Sequence, residues 1–66
     1  MNFTRIDDYY ERSDCGRYTV CAIGGARGWR FESWCGKEHL AADFMEAEAA
    51  REHCRVHAAE MAREAA

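Results

Sequence analysis

Between Tyr18 and Trp34, apolar and polar positions alternate in two successive runs with a glycine-rich break between them. Tyr18-Thr19-Val20-Cys21-Ala22-Ile23 and Trp29-Arg30-Phe31-Glu32-Ser33-Trp34 each have the period-two pattern of a strand covered on one face. Gly24, Gly25 and Gly28 punctuate the gap, so a β-hairpin is expected. Directly paired residues share a face, so the parity of the loop sets the register. An even loop gathers Tyr18, Val20 and Ala22 with Trp29, Phe31 and Ser33. It leaves Thr19, Cys21, Ile23, Arg30, Glu32 and Trp34 on the other face. An odd loop mixes Arg17 with Phe31, and Val20 with Glu32. The even register separates apolar from polar better. It makes Trp29 and Phe31 core residues and puts Trp34 on the wetter face. There Trp34 serves either as cover for a sheet edge or as an exposed aromatic anchor, a residue type enriched at interface hot spots.

The flanking segments carry weaker patterns. Tyr9–Arg12 reads as a first strand, and Ser13-Asp14-Cys15-Gly16 has turn chemistry. Cys35-Gly36-Lys37-Glu38 reads as a second tight turn, and residues 39–44 as a short strand or a lead-in. From about Met45 the period changes. Ala47, Ala50, Cys54, Ala58 and Met61 recur at spacings of three and four, which marks one stripe of a helix. These residues are mostly small, so the helix can lie close on a sheet. Asp43, Glu46 and Glu48 suit the positive end of its dipole. Glu48 with Arg51, Glu52 with Arg55 and Glu60 with Arg63 are spaced as pairs on its outer surface, each worth a few tenths of a kcal/mol. The expected fold class is α+β. A small three-stranded antiparallel sheet, with strands over about 8–12, 17–23 and 29–35, carries one long C-terminal helix over about 45–64 on one face.

Length makes this a single domain of 66 residues, a size at which burial alone gives marginal stability. It also leaves little scaffold for an enzyme pocket, so a non-enzymatic binding module is expected. No apolar run has the roughly 20 residues of a membrane span. The first eight residues lack the apolar core of a signal peptide, which sets the expectation of a cytoplasmic protein with its four cysteines free. The net charge of −3 is unevenly spread. Residues 1–35 balance five arginines against Asp7, Asp8, Glu11, Asp14 and Glu32. The excess lies beyond residue 36, mostly between Glu38 and Glu52. Affinity for phosphate backbones comes from Lys and Arg, so direct nucleic-acid binding is disfavoured and a basic protein partner is favoured.

Three constellations invite chemistry. His53 and His57 sit four apart on the presumed helix, the spacing of a His-x3-His metal pair, with Cys15, Cys21 and Cys35 as distant thiolates. No Cys-x2-Cys pair supports it, so neither metal nor cofactor is expected. A Cys–His hydrolase lacks a third orienting group. The glycines at 24, 25 and 28 match no phosphate-loop spacing. The acidic residues are the stronger signal. Asp7, Asp8, Glu11 and Asp14, with Glu38, Asp43, Glu46, Glu48 and Glu52, are expected either to form a solvated face or to imitate a row of phosphates in another protein's basic channel. Tyr10 and Trp34 are the expected aromatic anchors.

The order Gly16-Arg17-Tyr18-Thr19-Val20, then Trp29-Arg30-Phe31-Glu32-Ser33-Trp34, then Leu40, Phe44, Ala47-Glu48, Ala50-Arg51, His53-Cys54 and His57 resembles small acidic β-β-β-α proteins of phages and prophages from GC-rich bacteria. Anti-CRISPR inhibitors are prominent among phage proteins of this size. The resemblance covers residues 9–58 and implies a non-enzymatic inhibitor, without cofactor, that binds a type I surveillance complex and blocks DNA or PAM recognition. It carries over no functional residue. The alternative is an accessory domain of structural or regulatory role, a homodimer burying the Trp34 face, with a zinc-binding module behind it.

Overall fold

The computed structural model describes residues 1–65. The hairpin forms in the even register. β3 (Tyr18–Gly25) and β4 (Gly28–Cys35) pair antiparallel around a two-residue turn, with Val20 opposite Ser33 and Ala22 opposite Phe31. Gly28 leaves the turn at φ +94°, a conformation that favours glycine.

The sheet has five strands where three were expected. β1 (Phe3–Arg5), β2 (Tyr10–Ser13), β3, β4 and β5 (Glu38–Phe44) lie in chain order, all antiparallel. The α+β class stands; the three-stranded sheet does not. Two physical reasons account for the difference. β1 is three residues long, too short for alternation to register. β5 loses its alternation because the pairing with β4 shifts twice, between Trp34 and Ser33 and again between Ser33 and Phe31. Asp43, at φ +65°, lies in the second of these irregularities. β2 starts at Tyr10 rather than near residue 8 because the Asp7 carboxylate accepts the backbone N–H groups of Tyr9 and Tyr10, at 2.7 and 3.0 Å, and holds a turn there.

The helix α1 (Ala47–Ala65) lies on the face that carries Tyr18, Val20 and Ser33, against β3, β4 and β5. Its small-residue stripe works as the spacing implies. Ala50 and Cys54 are fully buried and Ala58 is half-buried against the core. Met61 is exposed, so the stripe outruns the sheet. The core is Tyr18, Val20, Ala50 and Cys54, ringed by Phe3, Phe31, Cys35, Leu40, Phe44 and Ala58. Full burial of a side chain such as Val20 stabilises by about 1.5–3 kcal/mol. Tyr18 is 3% exposed, and its hydroxyl reaches His57 Nδ1 at 2.8 Å. Ser33 Oγ is buried with no hydrogen-bond partner among the described residues, a local cost within this core. No helix among the described residues is long and apolar enough to cross a membrane.

Core burial sets an alkaline limit. Burial pushes the Cys54 thiol up from its ordinary 9.0 to about 11 and also raises Cys21 and Tyr18. Raised folded-state pKa values mean that the native chain keeps protons which the unfolded chain releases. Their contribution is complete below pH 9 and is lost as pH rises toward 11. The urea midpoint should therefore hold steady from pH 7 to 8.5 and fall between pH 9 and 11. Cys54→Ala should flatten that fall; an unchanged slope would assign it elsewhere.

Candidate functional site

The long hairpin overshoots the helix. Phe44 pairs with Phe31, and α1 starts three residues later at Ala47. Trp29 is on the helix-facing side of the sheet, two residues nearer the turn than Phe31. It lies beyond the start of the helix and is 53% exposed. The expectation that Trp29 is core is therefore wrong: parity chose the right face, but no element covers that end of it. Trp29 is nonetheless held. Its ring lies over Gly24, the residue opposite, so a Cβ at Gly24 would sit 3.2 Å from two ring carbons. Tyr9, 59% exposed, flanks it at 6.1 Å between ring centroids. Tyr9 is placed there by its carbonyl, which accepts the Ala22 N–H at 2.6 Å. The result is an aromatic pair facing water.

Behind the pair is a cleft of about 380 Å³. Phe3, Val20, Ala22, Phe31 and Ala47 give it an apolar floor, and Asp7, Asp8 and Glu11 border it. Its wall contains the best-built ion pair in the molecule. Arg51 grips both carboxylate oxygens of Glu11, the Nη2 bond measuring 2.9 Å, and reaches Glu48 at 3.0 Å. These bonds, that to Glu11 foremost, raise the Arg51 pKa further. Glu48 also meets Arg55 at 2.7 Å, and these two guanidinium groups, Arg55 first, hold its carboxyl below the usual range.

The nine acidic residues expected to bind a partner divide accordingly. Asp7, Asp8 and Glu11 border the cleft together with Ala47, the residue that separates Glu46 from Glu48. The N-terminal and helix-start acids are thus brought to one end. Glu11, Glu48 and Glu52 are committed to Arg51 and Arg55, and Asp8 lies 3.6 Å from Arg5. Glu60 and Arg63 form no ion pair among the described residues. Asp43 stands in the β5 irregularity, beside Arg30 and the hairpin turn. Asp14, which accepts the Asn2 N–H at 3.3 Å, and Glu38, opposite Cys35, lie at the far end of the sheet. Asp7, Asp14, Glu38, Asp43 and Glu46 make no ion pair among the described residues.

Of the two aromatic anchors expected from the sequence, Tyr10 contributes to the lining of the cleft and Trp34 does not. Tyr10 and Trp34 are on the sheet face that the helix leaves open, and both are half-buried. Trp34 is covered by His39, with ring centroids at 4.7 Å, and its indole N–H points to Glu32 at 3.4 Å. The histidines of the presumed metal pair have other neighbours: His53 packs on Phe44 and His57 on Tyr18. No group of three or more possible metal ligands occurs among the described residues. Cys15 is exposed in the β2–β3 turn, where bonds from Ser13 Oγ and the Arg17 backbone lower its pKa. Tyr9, Trp29 and the cleft are what sequence reasoning missed. The signal for them was a glycine directly across from a tryptophan in the register already deduced.

Comparison with known protein families, with curated proteins and with solved structures finds no match to this chain.

Proposed function

We propose that this chain is a non-enzymatic interaction protein that docks through its hairpin end, and that it inhibits a type I CRISPR surveillance complex in the host cytoplasm. The docking part rests on one observation: a half-exposed Trp29–Tyr9 pair at the end of the molecule where Asp7 makes no ion pair among the described residues. Rigid aromatics bind with little entropy loss and are enriched at hot spots, while a charged border favours a complementary partner. The inhibitor part rests on the resemblance to phage proteins. Glu11, Glu48 and Glu52 are occupied by arginines and Asp8 faces Arg5, so at this end any imitation of phosphates falls to Asp7, Asp43 and Glu46.

A plaque assay tests both parts. In bacteria whose type I system targets an infecting phage, the wild type should restore plaques. Trp29→Ala and Glu46→Lys should each cut that restoration at least tenfold, while Trp34→Ala, on the opposite face, should keep it. Wild-type failure across several type I subtypes would remove the inhibitor reading. Equal loss in all three variants would remove the hairpin end as the working surface.

A further inference from the structure

We infer that the cleft beside Tyr9 receives one large apolar side chain from a basic segment of a protein partner. The inference rests on the reading of this chain as an interaction protein and names the partner's chemistry. The floor supplies the apolar half of the argument. Phe3, Val20, Ala22, Phe31 and Ala47 come from four different elements and meet in a concave surface that no other part of the chain fills. Its 380 Å³ is at the small end of ligand sites, and it is open along one side, so it suits a single anchoring side chain carried by a chain outside it.

Charge supplies the other half. Two guanidinium groups border the cleft, and both are already satisfied. Arg51 is bound by Glu11 and Glu48, and Arg5 pairs with Asp8 while donating to the Asp7 carbonyl. An anionic segment therefore finds no free cation there. A basic segment finds Asp7 on the border and Glu46 next to the lining residue Ala47, neither of which has an ion-pair partner among the described residues. Glu46 and Glu48 also lie at the positive end of the helix dipole, which lowers the pull of that end on an anion. Tyr9, whose carbonyl accepts the Ala22 N–H, forms one lip, and Trp29 stands next to it.

The test is an amide-shift titration of the ¹⁵N-labelled full chain with three blocked pentapeptides: a phenylalanine between paired arginines, a serine between paired arginines, and a phenylalanine between paired glutamates. The first should shift Ala22, Phe31, Ala47 and the Trp29 indole and approach saturation at millimolar concentration. The serine and glutamate peptides should bind at least tenfold more weakly. Tyr9→Ala, a change at an exposed side chain that lines the cleft, should weaken the first peptide at least fivefold. Equal binding of the serine peptide would overturn the anchor. Preference for the glutamate peptide would overturn the charge assignment. Shifts centred on Trp34, or no shifts at all, would overturn the site. Failure here together with plaque restoration lost in Glu46→Lys would sink the cleft alone. Binding here without plaque restoration would sink the CRISPR target alone.

Discussion

Tyr18→Ala should cost about 4 kcal/mol, most of what holds this chain folded. Deleting a buried aromatic ring costs about 3–5 kcal/mol, and a chain this size has roughly 3–10 kcal/mol in all. Tyr18 is the largest side chain of the central cluster and touches both layers, its ring in the sheet and its hydroxyl on His57 of the helix. The two parts are separable. Tyr18→Phe keeps the ring and gives up one hydrogen bond, and its half-buried partner His57 can turn to water, so the loss should be about 1 kcal/mol. Urea unfolding of the two variants measures the split. A Phe variant as unstable as the Ala variant would mean that the link to the helix, not the ring, anchors the layers.

Ala50→Leu should destabilise by about 3 kcal/mol, the upper end for an overpacked contact. Ala50 has no exposed surface, and the helix rests on the sheet at Ala50 and Cys54. A leucine there must lift the helix or displace Val20 and Ser33. Ala49→Leu adds the same atoms one residue along, at an exposed position, and should change stability by less than about 0.5 kcal/mol. At about 4–8 °C per kcal/mol for a domain of this size, the Ala50 variant should melt at least about 12 °C lower. A drop under about 4 °C would mean that the layers are not closely apposed.

The elements that were legible in the sequence share a property: their signal is local and periodic. The hairpin register followed from where Tyr18, Val20 and Phe31 fell in the alternation, and the helix face from the spacing of Ala50, Cys54 and Ala58. The Glu48–Arg51 and Glu52–Arg55 pairs followed from the helix period. What escaped depends on distance along an element. Trp29 and Phe31 have the same parity, but only Phe31 lies under the helix, and no pattern in residues 28–35 says where α1 will start. Trp29 is therefore exposed where a core residue was expected, while Trp34 stays on the open face, half-buried against His39. β5, legible only as a short strand or a lead-in, is obscured for another reason: its pairing shifts put Leu40 and Phe44 on the core through irregular backbone, which no fixed period describes. The Glu11–Arg51 pair joins residues 40 apart and has no sequence signature. It also changes the reading of the acids, since a carboxylate counted from composition as available is here a part of the structure.

The two outer strands bear on how the chain behaves in a crowded solution. An open sheet with one bare face has two rows of unpaired backbone groups, and such rows recruit other chains into fibres. Here one row, on β1, is three residues long. The other, on β5, is interrupted by its two pairing shifts and by the left-handed Asp43, whose charged side chain stands in the irregular stretch. Neither offers the long, flat template that cross-β growth requires. The irregularity that obscured β5 in the sequence thus works against endless sheet extension.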